Sequence, residues 1–352
     1  MAQVSSVVFR VAVGPKIGFG HLARTMVLAE LLRNHGTAVH FHVPGAEDGI
    51  LTLLDENRFT ACVSADLSPQ KWLSEAKADA VVYDLVCTDW RAEQSRLFLE
   101  ITDVRDAGVP IVFFDGYGEQ SYRCQIGAPL VDFLVAPYVG ETRLCPTHAR
   151  CILAGPQYFP LSKNYQDVER HGVRDIVARI LVTCGGADPY MATPKILEAI
   201  LSVPGDDIEI DVVVGALFTS ENRKEIERLA VSAPDRVHPV YAPRSLAAQM
   251  QIVDLCVSAN GLTKYELAAM GVPTIAVSLS PAHHQANLAF AESDSLKVVG
   301  ILNDLDGPTI ADAVSRMVDD VEGRTRMSHA GMSLVDGQGA ERILKEAKLL
   351  PC

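Results

Sequence analysis

Residues 6–32, SVVFRVAVGPKIGFGHLARTMVLAELL, hold a strand, a glycine-rich turn and the start of a helix in one uninterrupted run. Ser6 to Gly14 is rich in β-branched and aromatic residues, as a buried strand requires, whereas Leu22, Met26, Ala29 and Leu32 return at helical spacing. Gly18 and Gly20 therefore fall in the strand-to-helix turn, where the backbone bends sharply and lets a ligand come close. The free amides of such a helix start, together with the positive end of its dipole, make the turn an anion site. His21 stands in it as a candidate general base.

Two other readings of this turn exist. From Gly18 to Ala23 it fits GxGxxA, the dinucleotide fingerprint, which also wants an acidic residue about twenty positions later. Residues 37–44, TAVHFHVP, offer no carboxylate, which argues against a dinucleotide cofactor. A glycine turn with a merely structural histidine stays open at this level.

Composition narrows the class. A chain of 352 residues is longer than the roughly 250 to 300 that one core usually supports, so two domains are expected. With 48% hydrophobic and 21% charged residues the composition is that of an ordinary globular protein. A net charge of −13 without any basic run disfavours a nucleic-acid partner, because phosphate neutralisation needs clustered Lys and Arg. The eight cysteines form no CxxC pair, so neither a zinc site nor a disulfide framework is expected. No segment approaches the roughly 18 apolar residues of a membrane span, and no leader pattern opens the chain; a cytoplasmic protein is expected. Nothing in the residues speaks to the oligomeric state.

Apolar runs alternate with helical patterns, the signature of α/β domains built on parallel sheets. Strands are predicted near 6–14, 38–44, 59–64, 79–84, 110–115 and 133–138, with 151–154 closing the set. After a polar connection over 157–175, a second set is predicted near 179–184, 208–215, 236–242, 254–259 and 273–279. The expectation is two doubly wound domains with a cleft between them, and ligands sit beyond the carboxyl ends of strands in such sheets.

Three loops of the second half are therefore candidates. Cys184-Gly185-Gly186-Ala187-Asp188-Pro189 combines glycines that permit close approach with a turn-forming Asp-Pro. Ser258-Ala259-Asn260-Gly261-Leu262-Thr263-Lys264-Tyr265-Glu266 leads small polar residues into a helix, with Glu266 able to accept both hydroxyls of a ribose. The competing reading is a capping box, Thr263 as N-cap and Glu266 three residues on. Ser280 to Asn287 contains His283 and His284, which as neighbours share no face, so a metal pair is not expected there. His40 and His42 share a strand face, but two histidines alone do not make a metal site.

Four segments, IGFGHLARTMVLAELL, CGGADPYMATPKILEAI, SANGLTKYELAAMGVPTIAVSLSPAHHQAN and VDGQGAERI, together resemble the UDP-sugar hydrolases of the pseudaminic acid pathway. The related spore-coat polysaccharide proteins belong to the same likeness. The second-half signature is also similar to nucleotide-sugar glycosyltransferases of the GT-B fold. The resemblance implies two facing Rossmann-like domains: residues 1–160 carrying the catalytic base and 175–352 holding the nucleotide. It implies that His21 activates a water for inverting attack on the anomeric carbon of a UDP-linked amino-deoxy sugar, with no cofactor or metal, and that Arg24, matching the arginine of the family's following helix, contacts the substrate. Glycosyl transfer from a nucleotide sugar is the alternative it leaves open. It further implies contacts to substrate from Gly18, Gly20, Asp84, Gly185, Gly186, Asp188, Asn260, Gly261, Leu262, Thr263, Glu266, His284, Gln285 and Asn287. Where the hydrolases have Asp-x-Tyr, this chain has Asp84-Leu85-Val86, and their paired aspartates appear as Asp115-Gly116-Tyr117. These departures bear on the sugar and on the reaction rather than on the nucleotide.

Overall fold

The computed structural model describes residues 4–13, 20–46, 48–63, 68–85, 90–116, 121–122, 127–140, 148–166, 172–203, 207–259 and 261–351. They form two units, Met1–Leu161 with Gln338–Cys352, and Ser162–Gly337. The first unit contains β1 (Ser6–Val11), β2 (Ala38–His42), β3 (Thr60–Cys62), β4 (Ala80–Asp84), β5 (Ile111–Phe114), β6 (Val131–Ala136) and β7 (Ala149–Ala154). Helices α1 (Gly20–Asn34), α2 (Asp48–Glu56), α3 (Pro69–Ala76) and α4 (Trp90–Asp106) join its first five strands.

All pairs in this sheet are parallel, in the order β3-β2-β1-β4-β5-β6-β7. The central strands are buried on both faces, which explains their unbroken apolar runs. Val7, Phe9 and Val11 share one core with Leu22, Leu28 and Leu32 of α1. Val8, Val81, Tyr83 and Phe113 pack on the other face with Trp72 of α3 and Ile101 of α4. Because β1 lies between β2 and β4, the chain leaving β1 passes directly beside the end of β4, where Val11 pairs with Asp84.

The second unit repeats the plan with β8 (Arg179–Thr183), β9 (Glu209–Val214), β10 (Val237–Tyr241), β11 (Leu255–Ser258), β12 (Thr274–Ser278) and β13 (Lys297–Ile301). Its helices are α5 (Ala192–Leu201), α6 (Ser220–Ser232), α7 (Ala247–Ile252), α8 (Thr263–Ala269), α9 (Pro281–Ala291), α10 (Gly307–Asp319) and α11 (Val321–Leu334). The order β10-β9-β8-β11-β12-β13 puts β8 between β9 and β11, the same reversal point. Strand β13 is absent from the sequence reading. Its residues KVVGI are half-exposed at the sheet edge, so they lack the buried run that marks the others.

The chain end also departs from expectation. Helix α12 (Gly339–Glu346) does not stay with the second unit, as a domain over 175–352 would have it, but packs against α1 and lends Ala340, Ile343 and Leu344 to the first core. Helical spacing showed an amphipathic helix; it carried no information on which core would receive it. Among the described residues no helix is long and apolar enough to cross a membrane.

Helix α12 seats closely because Gly339 has no Cβ to collide with the Phe159 backbone. Gly339→Ala should therefore lower stability by about 1–3 kcal/mol, the usual range for overpacking. Urea unfolding measures it, and an unchanged midpoint would contradict this packing.

Candidate active site

At the reversal point of the first sheet, α1 begins at Gly20 and presents two side chains to the end of β4. His21 Nδ1 lies 2.6 Å from Asp84 Oδ1. One turn later Arg24 grips the same carboxylate with both arms of its guanidinium, Nε to Oδ2 at 2.5 Å and Nη2 to Oδ1 at 2.6 Å. Residues 21 and 24 share a face of α1, and Asp84 is fixed opposite them by strand pairing.

Asp84 is wholly buried and Arg24 is 4% exposed. Burial alone would raise the Asp84 carboxyl, but the charges and hydrogen bonds of Arg24 and His21 overcome it and hold the group below the usual carboxylate range. Burial opposes the Arg24 charge as well; Asp84 and Tyr138 outweigh that and raise the guanidinium above its ordinary value. An ionised carboxylate has no proton to offer, so Nδ1 of His21 must be the donor in the 2.6 Å contact. Nε2 is then the nitrogen left to act as base, and the side chain is 21% exposed. Arg24 Nη2 at 3.3 Å from Nδ1 is a neighbour rather than a bond, since both are donors.

The cluster continues inward. Arg24 Nη1 donates to the Tyr138 hydroxyl at 3.0 Å, which donates to the Asp115 carbonyl at 3.1 Å, and the guanidinium lies 5.0 Å from the Phe114 ring centroid. The Asp115 carboxylate accepts from Ser121 Oγ and from the Tyr122 amide, so this aspartate braces its own turn. Tyr138 carries no sequence motif; only the fold reveals its role. Gly18, Val86 and Tyr117 lie outside the described residues.

The second unit uses backbone where the first uses charge. Gly185 after β8 has φ +84°, which favours glycine, and it and Gly186 are exposed with open space where a Cβ would stand. Gly215 at the end of β9 lets the Gly186 backbone come into direct contact, and Leu217 N donates to Gly186 O at 2.9 Å. The buried Cys184 thiol is raised to about 12, by burial first and by Asp188 second, so it is no nucleophile.

Several expected ligand contacts take other positions. Asp188 is buried, and its oxygens accept from Ala192 N and Thr193 N, both at 2.8 Å, and from Asn222 Nδ2 at 3.2 Å. It is the anchor of α5, not a surface group. Asn287 is likewise buried, donating to Ser278 Oγ at 3.0 Å and accepting from Lys264 Nζ at 3.3 Å. His284 Nδ1 lies 3.3 Å from the same Ser278 Oγ, while Gln285 is exposed.

The capping-box alternative also fails. Leu262 is the N-cap of α8 and makes no side-chain cap, so Thr263 is the first helical residue and Glu266 stands one position beyond the box. Gly261 is exposed, Leu262 and Thr263 half-buried, and Asn260 lies outside the described residues. Burial pushes the Glu266 carboxyl up to about 7, partly offset by a hydrogen bond from Tyr165. Burial likewise pulls the Lys264 ammonium down to about 8.

Known proteins can now be set beside this geometry. No family model matches the chain. It is similar to the spore coat polysaccharide biosynthesis protein SpsG of Bacillus subtilis, 26% identical over 338 residues that cover 94% of each chain. It is also similar to the UDP-N-acetylglucosamine-N-acetylmuramyl-(pentapeptide) pyrophosphoryl-undecaprenol N-acetylglucosamine transferase of Limosilactobacillus reuteri, 25% identical over 181 residues, 50% of this chain and 49% of that protein. Among solved structures, MurG of Acinetobacter baumannii superposes with a TM-score of 0.66 at 14% identity over 98% of this chain and 100% of that one. The fold is thus GT-B-like, with two Rossmann-like parallel-sheet domains.

Breaking the buried pair should be costly. Arg24→Met takes the guanidinium from the buried Asp84 carboxylate and leaves it His21 alone, and the expected loss is about 3–5 kcal/mol at neutral pH. Because Asp84 is held below its unfolded value, its contribution is present above the ordinary carboxylate range and is lost as pH falls through it. The gap between variant and parent should therefore narrow in acid, and denaturant curves showing an equal gap at all pH values would refute the pairing.

Proposed function

We propose that this chain is a nucleotide-sugar enzyme of polysaccharide biosynthesis that displaces UDP from the anomeric carbon of a sugar. The Asp84–His21 contact carries the reading: a carboxylate fixes Nδ1 as donor and frees Nε2 to take a proton. In the step proposed, Nε2 removes the proton of an incoming O–H as its oxygen bonds to the anomeric carbon. The bond from that carbon to the diphosphate breaks, and its electron pair leaves on the β-phosphate. UDP departs readily, so donors that accept the diphosphate charge can replace an acid. Backbone amides around Gly185, Gly186, Gly261 and Thr263 are assigned that task, and Glu266 the ribose hydroxyls. Gly20 opens α1 beside the base, while Leu262, His284 and Gln285 are assigned to the sugar end. Asp188 and Asn287 shape these loops from within.

Transfer to a hydroxyl acceptor is the reading favoured by the likeness to the Limosilactobacillus transferase, while the likeness to SpsG supports a part in polysaccharide biosynthesis. Hydrolysis of an amino-deoxy sugar nucleotide is the second reading, supported by the motif set around His21; it uses the same base on water. Incubating the protein with a panel of UDP-sugars, with and without acceptor alcohols, separates them. UDP release that needs acceptor supports transfer, and release without it supports hydrolysis. No release and no UDP affinity would sink both.

His21→Ala should lower kcat by about 100- to 10,000-fold, the span of a lost general base, with UDP affinity little changed. Asp84→Asn, which offers Nδ1 the wrong partner, should cost about 100-fold or more in kcat. An equal loss of UDP affinity in His21→Ala would remove the base from the scheme.

A further inference from the structure

Polar side chains of α8, β12 and α9 form a run of hydrogen bonds that begins at a buried lysine and ends at His284. Lys264, in the first turn of α8, is 8% exposed and has no carboxylate partner among the described residues. Its Nζ lies 5.0 Å from the Phe290 ring centroid and donates to Asn287 Oδ1 at 3.3 Å and to the Ala286 carbonyl at 3.5 Å. An ammonium has only donors, so the amide atom that faces it must be the oxygen, and the nitrogen of Asn287 must face the other way. Asn287 Nδ2 accordingly donates to Ser278 Oγ, at the end of β12, at 3.0 Å. His284 and Asn287 share a face of α9, which brings His284 Nδ1 to 3.3 Å from the same oxygen.

Ser278 sets the direction of the last bond. It is wholly buried, and its hydroxyl has one proton and two acceptor positions. One acceptor position takes the Asn287 amide, and among the described residues only His284 Nδ1 is placed to receive the proton. A buried hydroxyl proton without an acceptor is costly, so Nδ1 accepts and the neutral ring carries its hydrogen on Nε2. This is the reverse of His21, whose Nδ1 donates to Asp84. His284 is half-buried and its Nε2 has no acceptor among the described residues, which leaves that hydrogen open to a ligand.

We infer that Lys264, Asn287 and Ser278 are positioning residues that fix His284 as a hydrogen-bond donor, through Nε2, to an oxygen of the bound sugar. The ligand half of this inference rests on the proposed place of His284 at the sugar end. An N–H meets lone pairs, so the sugar group opposite it is a hydroxyl or an acyl carbonyl and not an ammonium. With its lone pair turned inward to Ser278, His284 is a donor and not a second base.

Heteronuclear NMR of unliganded protein labelled at the histidine ring nitrogens tests the relay, the His284 signals being identified by their loss in His284→Gln. The hydrogen should couple to Nε2, with Nδ1 bare. Asn287→Asp is the decisive variant: its carboxylate takes the Ser278 proton, Ser278 Oγ then accepts from the ring, and Nδ1 should carry a hydrogen. The new carboxylate meets the Lys264 ammonium, which supplies its counter-charge. Ser278→Ala should move the bare Nδ1 resonance toward that of a ring nitrogen without a hydrogen bond, and it serves if Asn287→Asp does not fold. A hydrogen on Nδ1 of the parent, a bare Nδ1 in folded Asn287→Asp, or an unmoved resonance in Ser278→Ala would overturn the relay. These spectra need no nucleotide sugar, so an absence of UDP release from every UDP-sugar sinks the proposed function and not the relay. With a UDP-sugar that does release UDP, His284→Met should lower kcat/KM by about three- to tenfold, the span of one lost hydrogen bond. His284→Gln, which keeps an N–H near the place of Nε2, should retain most of the parent value, and UDP should inhibit both variants alike. Equal losses in the two variants would overturn the donor role.

Discussion

The bidentate contact between Arg24 and Asp84 is the constraint on which the first site depends. Two charges are taken out of water at the end of β4, and each alone would cost several kcal/mol. Their attraction offsets that cost only because the guanidinium fork meets both oxygens squarely. An apolar pair of the same volume is often as stable or more so, so stability alone gives little reason to keep charges here. What the charges supply is an ionised carboxylate at a fixed place, and His21 is the group that uses it. The fold provides the place through one topological fact, the adjacency of β1 and β4 where the strand order reverses.

The second unit has the same reversal between β8 and β11 but fills it differently. Its loops expose glycine backbone, and the charged residue of the first loop is turned inward. Asp188 holds the first turn of α5, and Gly215 allows the turn after β8 to rest on the turn after β9. The residues that a motif reading would assign to a ligand thus divide into those that form the surface and those that hold it in shape. One sheet plan supports a site made of side chains in one unit and of backbone in the other.

This division marks the limit of what the residues alone disclosed. Buried parallel strands announce themselves by continuous apolar runs and helices by their spacing, so twelve of the thirteen strands among the described residues and the helix that carries His21 were legible. Strand β13 was not, because an edge strand is not obliged to be apolar. The placement of α12 was not, because periodicity names a buried face without naming its partner. Asp84 was noticed for its position at a strand end, but its contact with residues sixty positions away is a property of strand order. Tyr138 follows no spacing at all; it became visible only through the guanidinium its hydroxyl touches.

Ionisable groups drawn wholly or partly out of water have two ways to meet the cost, and the two units illustrate one each. Asp84 and Arg24 pair, which keeps both charged, the carboxyl held below and the guanidinium above its ordinary value. Glu266 and Lys264 do not, although only two positions separate them, because residues i and i+2 of a helix do not face each other. Each instead drifts toward neutrality, the acid up to about 7 and the amine down to about 8. Pairing produces a fixed field, which holds the His21 ring with Nδ1 as the donor. Isolation leaves a group whose charge responds to its surroundings within ordinary conditions.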